Sequence, residues 1–173
     1  RLAELGITVG PTEAHRLAFV SYRGGNADIY TMDINGSKLE QITNDAAADV
    51  HPRWSPDGTQ IAFCSDRDGN NNIYLLKSDS SDLLQLTDDR GDDCDPTWSP
   101  DGTHIAFSSD RDGDFENYSM GVNGEGLVQL TDDPADDRHP AWSPDGARIS
   151  FSSERISGDD FTIEEGDKDI YLM

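Results

Sequence analysis

The pentapeptide Trp54-Ser55-Pro56-Asp57-Gly58 returns unchanged at Trp98–Gly102 and at Trp142–Gly146, each copy 44 residues after the last. A fixed period of that size restricts the chain to a propeller, a solenoid or a linear array. The pentapeptide itself reads as a tight turn. Pro56, Pro100 and Pro144 preset the first corner, Asp57, Asp101 and Asp145 tolerate the second, and Gly58, Gly102 and Gly146 accept the left-handed conformation that closes it. Trp54, Trp98 and Trp142 then end the strand that enters each turn.

The residues around the turn alternate with a strand's period of two. Leu17-Ala18-Phe19-Val20-Ser21 aligns with Ile61–Ser65, Ile105–Ser109 and Ile149–Ser153, large apolar residues alternating with small ones. A polar turn follows, then a β-branched and aromatic strand at Asp28–Met32, Asn72–Leu76 and Asn117–Met120. A further strand is expected at Leu39–Thr43, Leu83–Thr87 and Leu127–Thr131. The strand before each Trp, at Asp49–Ser55, Asp93–Ser99 and Asp137–Ser143, contains Pro52, Pro96 or Pro140. Proline lacks the ladder donor, so this strand belongs at a sheet edge. No segment has helical periodicity. The fold expected is all-β, a propeller of about four four-stranded antiparallel blades forming one domain over residues 1–173. Its repeats run over about 1–43, 44–87, 88–131 and 132–173, the first and last incomplete.

Asp and Glu number 35 against 13 Lys and Arg, a net charge of −22. Nucleic acid and anionic lipid surfaces are repelled by such a chain, whereas cations and basic partners are attracted. No apolar run is long enough for membrane insertion. The two cysteines, Cys64 and Cys94, are too few for a disulfide framework and read as small buried apolar residues.

The run Asp-x-His-Pro-x-Trp-Ser-Pro-Asp-Gly-x-x-Ile-Ala-Phe-x-Ser-Asp-Arg-Asp-Gly, followed by Ile-Tyr and later Gln-Leu-Thr, resembles the PD40, WD40-like blade of TolB-type propellers. The likeness extends from Leu17 to Met173. It implies a non-catalytic scaffold that binds a protein or peptide at one mouth of the channel, as TolB engages a peptidoglycan-associated lipoprotein, and a periplasmic or extracellular location. Similar oligogalacturonate lyases hold a divalent metal with channel histidines, which implies the alternative of a metal-dependent enzyme; a self-assembling structural module is the other alternative. TolB-like rings usually have six or more blades. The four units of this chain are then a small closed ring, half of a two-chain ring or a piece of something longer; the expectation is a homodimer completing an eight-bladed ring, with residues 2–9 supplying the missing outer strand of their own last blade or of a partner's. Ile156–Lys168 reads as an inserted acidic hairpin loop.

Two constellations are candidates for chemistry. His51, Asp95 and His139 stand three residues before each Trp, and Asp49, Asp93 and Asp137 two residues earlier. Symmetry places the six around one channel mouth, as the expected partner-contact surface or as convergent ligands for a cation. The plainer reading has the aspartates fixing the loop into the inner strand and the histidines packing beside proline. Asp110, Asp112, Asp114 and Glu116 form a second acidic set of the kind that calcium or another divalent cation favours, although Gly113 falls at the wrong place for an EF-hand and a plain hairpin turn also accounts for it. No Gly-x-Ser-x-Gly elbow is present, and none of His15, His51, His104 or His139 is singled out beside an activated serine, so no catalytic residue is expected.

Overall fold

The Trp-Ser-Pro-Asp-Gly segments form the turns that the sequence predicts. The Ser55 hydroxyl donates to Asp57 Oδ1 at 2.6 Å and accepts the Gln60 N–H at 3.0 Å, while Asp57 Oδ1 also accepts the Thr59 N–H. The same pattern recurs around Asp101 and Asp145. Gly102 has φ +72°, and a Cβ there would lie 3.6 Å from the Pro56 ring. Gly146 stands in the same relation to Pro100, so each turn stacks on the one before it.

In the computed structural model, residues 8–9, 16–154 and 169–173 are described. They form four antiparallel sheets. The first comprises β1 (Thr8–Val9), β2 (Arg16–Ser21), β3 (Asp28–Asp33) and β4 (Glu40–Gln41); the second β5 (Asp49–Trp54), β6 (Gln60–Ser65), β7 (Asn72–Lys77) and β8 (Leu83–Gln85). The third comprises β9 (Asp93–Trp98), β10 (His104–Ser109), β11 (Glu116–Gly121) and β12 (Val128–Gln129); the last β13 (Asp137–Trp142), β14 (Ile149–Ser153) and β15 (Asp169–Leu172). The proline-bearing strands β5, β9 and β13 stand at sheet ends.

Successive sheets stack because the alternation seen in sequence gives each second strand a small face. Trp54 packs on Ala18 of the preceding sheet, and Trp98 packs on Ala62. The other face carries Phe63 or Phe107, stacked on Tyr74 or Tyr118 and fully buried. Accordingly β2 lies against β5, β6 against β9, and β10 against β13.

The outer strands are shorter than expected. Thr43, Thr87 and Thr131 do not continue the ladder; their hydroxyls accept the N–H groups of Ile29, Ile73 and Asn117. The side chain takes the place of a backbone partner and ends the strand.

Of three further expectations, two change. Thr8 and Val9 do not form an outer strand for the last blade; they pair with β2, Val9 opposite Leu17 where Trp54 stands opposite Ile61. The expected hairpin at Ile156–Lys168 lies outside the described residues. Cys64 and Cys94 are joined in a disulfide across the junction of the second and third sheets. Cys64 shares the small face of β6 with Ala62, and that face receives β9, which carries Cys94.

Candidate functional site at the inner strands

Each innermost strand bulges at the position three residues before its Trp. The register shifts between Val50 and Arg53, between Arg138 and Ala141, and on β10 opposite Asp95 and Pro96. His51, Asp95 and His139 take φ of 53°, 55° and 55° there. The left-handed region costs an L-residue roughly 1–2 kcal/mol, and Asn, Asp and His are the side-chain types most often found in it. Bulges of this kind re-aim side chains beside binding sites.

The re-aimed side chains meet. His51 Nδ1 lies 2.8 Å from Asp95 Oδ1, and His139 Nε2 lies 3.6 Å from Asp95 Oδ2. The Asp95 side chain is 14% exposed, whereas His51 and His139 expose 46% and 58%. The carboxylate is therefore the floor of the cluster, and imidazole edges form its surface. Burial pushes the Asp95 carboxyl up, but the His51 hydrogen bond and the nearby His51, His139 and Arg53 outweigh it and hold it below its ordinary value. Arg53 is brought below its own ordinary value by burial, which Asp95 partly offsets.

His139 is fixed from two further sides. Its N–H donates to the Ser108 hydroxyl of the preceding sheet at 3.0 Å, and its Nδ1 lies 3.0 Å from Ser152 Oγ. Sequence reasoning found no serine paired with a histidine; the structure supplies Ser152, with Asp95 beyond the ring. Ser152 Oγ also donates to the Arg138 carbonyl, which directs its proton away from the imidazole. That is the reverse of an activated nucleophile.

The other expected mouth residues lie elsewhere. Asp49, Asp93 and Asp137 are 0% exposed, so they present no contact surface. Arg67 binds Asp49 at 2.9 Å and Asp45 at 3.0 Å, and its guanidinium stands 4.7 Å from the Tyr74 ring centre. Arg111 repeats this with Asp93, Asp89 and Tyr118. Asp49 and Asp93 thus tie the stretch leading into the inner strand to Arg67 and Arg111, where the plainer reading had them accepting backbone N–H groups. Of the six residues expected at the mouth, the structure brings His51, Asp95 and His139 together, with Arg53 nearby.

The second acidic set is dispersed among separate partners. Asp110 accepts the Asp92 N–H, Asp112 accepts the Tyr118 hydroxyl, and buried Glu116 accepts the Asp133 N–H. Among the described residues no group of three or more His, Cys, Asp or Glu is arranged to hold a metal ion. Asp110 and Gly113 close a hairpin turn, the Gly113 N–H donating to the Asp110 carbonyl with Gly113 at φ +128°.

The PD40 family model, described as the TolB beta propeller domain, matches residues 8–87, 67–128 and 96–163. The chain belongs to the TolB β-propeller family. A protein TolB homolog from Chlorobaculum tepidum is 44% identical over 46 residues, a stretch covering 27% of this chain and 11% of that protein. A TolB structure from Agrobacterium tumefaciens superposes with TM-score 0.78 at 28% identity, covering 95% of this chain and 64% of that one. Oligogalacturonate lyase in complex with manganese shares the fold, with TM-score 0.69 at 17% identity, covering 96% of this chain and 49% of the lyase. This chain thus spans less than two thirds of each relative. Among the described residues no helix is long and apolar enough to cross a membrane.

Proposed function

We propose that this TolB-like chain is a non-catalytic scaffold that binds a protein partner at the inner-strand cluster of His51, Asp95 and His139. The observation carrying this reading is the threefold recurrence of a left-handed residue at one position, each aiming a polar side chain at the same place. Three such positions share a backbone cost that packing alone does not require. Two exposed imidazoles over a buried carboxylate present donors, acceptors and flat ring faces, the groups on which a peptide or loop can be hydrogen-bonded and stacked.

By family likeness the partner is a peptidoglycan-associated lipoprotein and the location periplasmic or extracellular. Binding of an acidic sugar in the manner of the lyase is disfavoured by the net charge of −22. A head-to-tail pair of chains completing one ring remains part of the proposal, and light scattering checks it: such a pair has twice the 19.0 kDa mass of one chain. Binding itself is tested by titrating the soluble domain of a peptidoglycan-associated lipoprotein into the wild-type chain and into the H51A/H139A double variant. Affinity should fall at least about tenfold in the variant, a loss of about 1.4 kcal/mol; equal affinity, or none in the wild type, overturns the reading.

A further inference from the structure

The disulfide stands at one junction only among the described residues, and that junction also carries the His51–Asp95 contact. The equivalent junction between the third and fourth sheets uses Ser108 and Arg138 in place of Cys64 and Cys94, and is held by the Ser108 hydroxyl accepting the His139 N–H. Stacking of these blades therefore does not require a covalent link.

The surroundings of the sulfurs are specific. Cys94 Sγ lies 3.3 Å from His51 Nδ1, which itself lies 2.8 Å from Asp95 Oδ1. Cys64 is fully buried and its Cα is 5.2 Å from that of Cys94, so the backbone holds both sulfurs on the same side of the junction once the bond is broken. Two sulfurs, one imidazole nitrogen and one carboxylate are donors for a borderline cation of the zinc type. Around a tetrahedral zinc, neighbouring sulfur, nitrogen and oxygen ligands stand about 3.3 to 3.8 Å apart. The Cys94–His51 spacing already lies at the lower end of that range and the His51–Asp95 spacing has to open by about 0.5 Å, while the two sulfurs, about 2 Å apart when bonded, part once the bond is broken. His51 is nearly half exposed and gives the cation a route in, and the acidic chain draws cations towards it.

We infer that reduction of the Cys64–Cys94 disulfide creates a zinc-type site with Cys64, Cys94, His51 and Asp95 as its ligands. In the disulfide form neither sulfur is a thiolate, so the site is closed. Reduction by a water-soluble phosphine breaks the S–S bond, each sulfur taking up a proton, while the phosphorus takes oxygen from one water and leaves as phosphine oxide. The cation then displaces the two thiol protons.

The test is an anaerobic cobalt titration followed by zinc displacement, performed on the disulfide form, the phosphine-reduced form and reduced H51A. Reduced wild type should take up one equivalent of cobalt with thiolate charge-transfer and tetrahedral bands, and zinc should displace it. The disulfide form should show neither band, and reduced H51A should bind at least about tenfold more weakly. The inference is overturned by absence of the bands after reduction, by equal uptake in H51A, or by loss of the near-ultraviolet circular dichroism of the tryptophans on reduction, which would mean that no folded reduced site exists. These readouts are of metal alone, so failure of lipoprotein binding leaves them unaffected.

Discussion

Asp101 shows how much one residue of the repeat carries. Hydrogen bonds from the Ser99 hydroxyl, the Thr103 N–H and the Thr103 hydroxyl bring its carboxyl down from 3.8 to about 2. Asp57 and Asp145 are lowered by the equivalent serines. A carboxyl depressed in the folded state stabilises the fold fully above its ordinary value and stops doing so as pH falls through the folded value. D101N should therefore unfold at a lower temperature than wild type at pH 7, with the gap closing between about pH 4 and pH 2. An unchanged gap across that range in a thermal melt series would contradict the role given to Asp101. Asp93 works in the opposite sense, because burial raises it ahead of the Ser109 and Arg111 contacts that lower it. The turn was legible from sequence because all its partners lie within five residues. The His51–Asp95 contact was not, since it joins strands of two different blades, and the Ser152–His139 contact was not, since it depends on the bulge that re-aims His139 within its own blade.

At the scale of the element, the unit is a hairpin clamped to the loop that leads into its own blade. Arg111 is the clamp: Nε donates to Ser109, Nη2 reaches both Asp89 and Asp93, and the plane covers Tyr118. Gly91 belongs to the same clamp, since a Cβ there would come within 2.7 Å of the Arg111 backbone nitrogen. R111M should cost about 3 kcal/mol, because it leaves the buried Asp93 without its cation. R23M in the first blade should cost well under 1 kcal/mol, since Arg23 is exposed and contacts Ser21 and aromatic faces. Denaturant midpoints of the two variants check this, and equal losses would refute it. The recurrence of Asp-Arg-Asp-Gly showed that its arginine pairs with nearby acids but not which ones, because the partners Asp45, Asp49, Asp89 and Asp93 lie on the stretch leading into the inner strand and not in the motif itself. The disulfide was hidden for a related reason: two residues 30 apart in sequence meet through blade stacking, which spacing does not express.

At the scale of the molecule, stacked blades turn a one-dimensional repeat into a common site. The inner strands β5, β9 and β13 each contribute one left-handed residue, and the sequence varies it as His, Asp, His while the frame around it stays constant. Family and all-β architecture followed from the repeat because they depend on local turns and alternation. The composition of the mouth did not, because aspartates two residues from the bulge turn inward while the bulged residue turns out. In the proposed function the partner docks on the bulges. Amide hydrogen exchange, followed with and without the soluble lipoprotein domain, tests it most directly. Added protection should appear at the segments around His51, Asp95 and His139, and nowhere on β4, β8 or β12. Protection confined to those outer strands would contradict the account.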